Sequence, residues 1–251
     1  MEVHHHPDLH HKPKKWKEYF LEFLMIFLAV TMGFFAESLR ESLLTNEKEH
    51  QYMESLVNDL NNDISELNSV IPFHNVFIYK MDRALQVSVE NIKDLNNQHT
   101  FYNQFVYFYS FDGQFIQHDK TLSQLKNSGE YSLIKNRAVL DSLTELNLYY
   151  EQTVKFDGTY YYEYELKLID IGAQVMKMSP LNSFGDTLSE VYPKNIEIFT
   201  TYDRQKLEQL YSWIRNLRAA LDIYRGNEMA YQKKAMRLRD FIIKEYHLRK
   251  D

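Results

Sequence analysis

Tyr19–Phe35 reads YFLEFLMIFLAVTMGFF, and the rest of the chain is interpreted from this stretch outward. Extended to Ala36 it covers about 27 Å as a helix, close to the hydrocarbon thickness of a bilayer. Its interior holds one charge, Glu22, within a turn of the amino-terminal edge, where a carboxylate reaches the headgroups at modest cost. Trp16 and Tyr19 mark one interface, as amphipathic rings do. The run is longer than the apolar region of a secretory signal, and no small-x-small cleavage site follows it, since Phe34 stands two places before Ala36. A buried core helix would carry a polar face, and this one has none.

The flanks give an orientation. Lys12, Lys14, Lys15 and Lys17 precede the span, whereas Glu37, Glu41, Glu47 and Glu49 follow it with Arg40 among them. An excess of Lys and Arg stays in the cytoplasm. The expected division is a cytoplasmic His/Lys-rich tail at 1–18, a transmembrane helix at 19–36 and an extracytoplasmic body at 37–251, periplasmic in a cell with two membranes. Ala29 and Gly33 form a small-xxx-small pair of the kind that lets helices approach closely.

Composition favours long helices. Among 251 residues there are 7 glycines and 5 prolines, too few for the many turns of a sandwich or barrel. The formal net charge is −6, which argues against nucleic acid as a partner. Cysteine is absent, excluding disulfides, thiol chemistry and Cys-based zinc sites.

Three heptad seams run through the body. The first follows Met53, Val57, Leu60, Ile64, Leu67 and Ile71, passes Pro72 without slipping, and continues through His74, Ile78, Met81, Leu85 and Ser88 to Ile92. Asn96-Asn97 is expected to end that helix. The second seam alternates from Leu140 to Met178, with a weak point expected at Asp157-Gly158. The third runs from Leu207 to Glu245. Between the first two lies KTLSQLKNSGEYSLIKN, Lys120–Asn136, with Thr121 and Asn136 as candidate caps and Gly129 as a stop.

Few residues suggest chemistry. His4, His5, His6, His10 and His11 form an imidazole-rich tail able to offer nitrogen ligands to Zn, Ni or Cu, but no carboxylate or Cys at fixed spacing closes a site. Phe101, Phe105, Tyr107, Phe108, Tyr109 and Phe111 form the candidate ligand or partner surface, set against packing at a bundle end as the alternative. Asp59 with Asp63 and Glu163 with Glu165 read as solvated helix surface, and His118-Asp119 lies in a turn without a neighbouring nucleophile. No GxSxG, HExxH, P-loop, GxGxxG or EF-hand pattern occurs. The chain is therefore expected to be no enzyme and to need no cofactor.

The opening HHHPDLHHKPKKWKEYFLEFLMIFLAVTMGFFAESLRE, with EKEHQYMESLVNDLNND after it, resembles the amino terminus of a family of single-pass membrane proteins of Bacteroidota. The connector TLSQLKNSGEYSLIKN is similar to a TxxxLKxSGxxxLI motif in related anchored proteins of the same bacteria. The resemblance covers about the first 65 residues and the connector. It implies an inner-membrane protein with an exported helical domain, and it carries no activity and no catalytic residues.

The expected fold is all-α: one transmembrane helix continuing into an extended antiparallel bundle of three long helices with short capping helices. In that arrangement the aromatic cap lies far from the membrane and the loop 179–202 close to it. The expected partners are the lipid bilayer and either a protein partner or a second copy of the chain. Three functions fit: an interaction or scaffold protein, a small-ligand sensor signalling through a partner, and metal handling by the His-rich tail.

Overall fold

A computed structural model describes residues 15–109, 114–177 and 196–249. The chain divides into two compact units, Met1–Gln51 and Tyr52–Asp251. Most of the described residues are helical, and among them there is no strand beyond an isolated antiparallel bridge between Met176 and Phe199.

Helix α1, Trp16–Leu85, is the longest element and contains Pro72. In the first unit it carries a stretch long and apolar enough to cross a membrane, with none of that stretch buried. Phe20, Phe23, Ile26, Phe27 and Phe34 all stand open to the surroundings. The hydroxyl of Thr31 is satisfied within the helix, donating to the Phe27 carbonyl at 2.7 Å.

In the second unit α1 buries the first seam. Met53, Val57, Leu60, Ile64, Leu67, Ile71, His74, Ile78 and Met81 all lie in the core. The helix passes Pro72, which is exposed, so the missing amide weakens a bond on the solvent side. It stops at Leu85, before the Asn pair. A 3-10 turn, Val89–Asn91, follows, with the Ser88 hydroxyl accepting from Asn91 N–H. Asn96 and Asn97 open the next helix rather than ending the first: α2 spans Leu95–Tyr109, and the Asp94 carboxylate caps it by accepting from Asn97 N–H at 3.1 Å.

The chain then returns along α1. Lys80 Nζ sits 4.0 Å over the Tyr107 ring. Farther on, His118 meets Asp63, Thr121 meets Asp59, and Gln124 meets Tyr52. Residue numbers rise on one side of these pairs as they fall on the other. The expected distal cap is therefore a full antiparallel leg made of α2, an extended strap at 114–119, and α3, Lys120–Ser128.

Inside that leg the connector behaves largely as its residues dictate. Gly129 takes the left-handed conformation, φ 71°, closing α3 where a Cβ would be strained. The Asn136 side chain caps the next helix by accepting from Ala138 and Val139 N–H. Leu122, Leu125 and Ile134 are buried. Thr121 is no cap: it lies within the first turn of α3, and its N–H is taken by Asp59.

The second seam is two helices joined without a break. Helix α4, Arg137–Tyr149, passes through a π turn, Tyr150–Val154, into α5, Lys155–Val175. Buried positions fall at 139, 143, 146 and 150, then at 154, 158, 161, 165 and 168. A heptad alternates steps of four and three, yet 146 to 158 takes three steps of four. One residue is surplus, and the π turn absorbs it. The expected irregularity at Asp157-Gly158 thus lies one turn earlier, and Gly158 serves close packing against Tyr224.

Helix α6, Arg204–Glu245, buries every position of its seam from Leu207 to Ile242. It opposes both other long legs: Asp82 pairs with Arg218, His74 with Glu228 and Asp63 with Tyr231, while Glu145 pairs with Lys234 and Asp157 with Asn227. Helices α1 and α4–α5 therefore run in the same sense, because the α2–strap–α3 leg intervenes. Within the second unit, the described residues 196–202 pack at the end where α1 stops, with Gln98 accepting from Ile198 and Phe199 N–H and Arg204 beside Glu90.

Candidate functional site

The aromatic residues of α2 are divided by burial. Phe101, Phe105 and Phe108 are fully buried. Phe101 lies 5.3 Å from the Tyr211 ring and 5.6 Å from Phe199, and Phe105 packs on Gly172 and Phe108. Tyr107 is 39% exposed, under Lys80. Tyr109 ends α2, its side chain and Phe111 fall outside the described residues, and so do His4, His5, His6, His10 and His11. Among the described residues no group of three or more His, Asp or Glu stands close enough to hold a metal ion.

The polar groups that sequence reading assigned to solvent are brought together here. Asp59, Asp63 and Glu66 lie one turn apart on a single face of α1, and each accepts from a backbone N–H across from it. Thr121 N–H donates to Asp59 Oδ2 at 2.8 Å, His118 N–H to Asp63 Oδ1 at 2.7 Å, and Ile116 N–H to Glu66 Oε1 at 3.5 Å. An extended strap has no helical partners for its amides, and these carboxylates supply them. Asp63 and Glu165 are buried, which corrects the solvated-surface reading for one member of each pair, while Asp59 is half-buried and Glu163 is exposed as expected.

Asp63 also accepts from the His118 ring at 3.0 Å and from the Tyr231 hydroxyl at 2.6 Å, while Tyr231 in turn receives Gln117 Nε2 at 2.9 Å. Burial pushes the Asp63 carboxyl above its ordinary value, against the lowering effect of the Tyr231 and His118 bonds. With Asp63 as acceptor, His118 Nδ1 carries the proton and Nε2 is the basic nitrogen. The ring is 42% exposed, and Glu66 Oε2 stands 3.7 Å from Nδ1. His118 and Asp63 are 55 residues apart in sequence, so no local motif announces the pair.

A second cluster repeats the arrangement one heptad along α6. Tyr224 Oη receives Phe115 N–H at 2.9 Å and bonds the Glu228 carboxyl, which also contacts His74 Nδ1 at 2.8 Å. Burial raises Glu228 as well, opposed by the His74 contact. Glu228 Oε1 has no hydrogen-bond partner among the described residues. The strap is thus tied to two buried acids through two tyrosines.

Among the described residues, two of the grooves on the surface of this unit stand out. One, of about 280 Å³, lies between α5 and α6 and is lined by Phe156, Asp157, Tyr160, Tyr164, Ala220 and Ile223. The other, of about 310 Å³, is lined by Glu145, Leu146, Lys234, Arg237, Leu238 and Phe241.

No protein-family model, curated protein or solved structure matches this chain.

Proposed function

We propose that this is a single-pass protein of the bacterial inner membrane whose periplasmic body is a non-catalytic interaction or scaffold module. The observation that carries the reading is α1 itself. One continuous helix presents a bare apolar stretch near its amino terminus and supplies buried seam positions of a separate compact unit farther on. An apolar stretch left open to water is costly, and a bilayer removes the cost. The lysines before the span keep the tail cytoplasmic. Exposed apolar side chains on the body support the interaction role, with Phe156 at 56% and Ile223 at 60% on either side of the α5–α6 groove.

The test uses the full chain in its membrane. The protein should resist alkaline carbonate extraction, its body should be cut by protease added to spheroplasts, and crosslinking in mild detergent should give a discrete oligomer or partner band. Release by carbonate, a body protected in spheroplasts, or a monomer without any crosslinked band would each count against the proposal.

A further inference from the structure

Among the described residues of the return leg, the strap at 114–119 lies outside both helices, and ionisable acceptors or tyrosines take hydrogen bonds from Phe115, Ile116, Gln117 and His118. It covers an aromatic cluster: Phe115 is buried, 5.2 Å from the Tyr231 ring and 5.8 Å from Tyr150. Its own amides and side chains reach Tyr224, Tyr231, Asp63 and Glu66, and Gln114 Nε2 donates to the Gly158 carbonyl at 3.0 Å. Lifting the strap would expose Asp63 to water and separate it from His118.

We propose that the strap is a proton-responsive latch, in which the His118–Asp63 pair closes it over the aromatic cluster as pH falls and lets it open as pH rises. Two geometric facts set the direction. Closing the strap buries the Asp63 carboxyl, which costs free energy while it is ionised and little once it is protonated. Closing also brings the His118 ring to 3.0 Å from Asp63 and 3.7 Å from Glu66, so a protonated imidazole is attracted to two carboxylates that it leaves behind in the open form. The Asp63 carboxyl binds a proton more tightly with the strap closed, and by linkage acid favours closure.

The surroundings do not reverse this direction. Asp63 faces His118 on the strap, Asp59 and Glu66 on α1, Tyr231 on α6 and Tyr150 in the π turn. The two tyrosines are raised by burial and stay neutral. Lys155, which acts on Tyr150, is held by Glu151 at 2.8 Å.

Hydrogen exchange of the full chain in detergent micelles tests the latch. Exchange of peptides spanning 114–121 is followed near pH 5 and near pH 7.5 and corrected for intrinsic rates. Protection should be higher at the lower pH, in the sense set by the raised Asp63 carboxyl, while peptides from the middle of α6 change little. Asp63→Asn should give high, pH-independent protection. Equal or lower strap protection at acid pH, or an Asp63→Asn chain that keeps the wild-type response, overturns the proposal. Should Asp63→Asn fail to fold, His118→Gln decides: a diminished response supports the latch and an undiminished one overturns it.

Discussion

His74 Nδ1 and Glu228 Oε2 meet at 2.8 Å with both side chains fully buried. They stand 154 residues apart in sequence and join α1 to α6 at a level where Tyr161 and Tyr224 pack around them. A heptad position that reads as an interruption in each seam is therefore a matched pair across them. Such a pair costs desolvation, and its loss from one side costs more, because the other group is left buried alone.

The pair makes stability depend on pH in a definite sense. The folded protein holds the Glu228 proton more tightly than the unfolded chain does, so this contribution is fully present below the ordinary glutamate range and is lost as pH rises through the raised value. Glu228→Gln stays neutral at every pH. Its Tm should match or exceed wild type at pH 7, with a flatter profile as pH rises above the ordinary glutamate range. His74→Ala should lose about 3–5 kcal/mol in urea unfolding.

Glycines at two helical positions should respond oppositely to alanine. A Cβ on Gly158 would lie 3.2 Å from the Tyr224 ring and hydroxyl, and that ring is buried and tied to Phe115. Overpacking of about 1–3 kcal/mol outweighs the helix-propensity gain of about 1 kcal/mol, so Gly158→Ala should destabilise. Gly226 in α6 has no atom within 4 Å of such a Cβ, and Gly226→Ala should stabilise by about 0.5–1 kcal/mol. Thermal unfolding followed by circular dichroism separates the two signs.

The placement of α2 in the core predicts a sharp contrast between neighbours. Phe105→Ala removes a fully buried ring and should cost about 3–5 kcal/mol. Tyr107→Ala removes a ring that is partly exposed beneath Lys80, and should change stability by less than about 1 kcal/mol. Equal losses in chemical denaturation would mean that α2 does not pack as described.

Asn136 closes the connector at the start of α4 by accepting from two amides. Asn136→Ala should lose about 1 kcal/mol in the same unfolding assay, whereas Asn136→Ser, which keeps an acceptor and sets no charge beside Glu245, should lose less.

Much of this fold was legible in the linear pattern, because burial on a helix repeats with its turn. The apolar stretch at Tyr19–Phe35, the seam through Pro72, the seam of α6 and the caps at Gly129 and Asn136 all follow from local periodicity and backbone preference. The second seam was read one residue out at several places: Leu140, Asn147, Asp157 and Tyr164 are half-buried, and Val139, Leu146, Gly158 and Glu165 take the core positions. A strict heptad has no room for the residue inserted by the π turn.

The polar residues are where pattern failed. Asp59, Asp63 and Glu66 share a helix face, which on a lone helix is a solvated face. They become acceptors because the strap and the first turn of α3, 50 to 62 residues away in sequence, bring their amides to them. The same leg turned the α2 rings into core. Apolar periodicity is set by a residue's own helix and survives in the sequence, whereas the role of a carboxylate or a histidine is set by whatever donor folding places opposite it, and that partner is chosen in space.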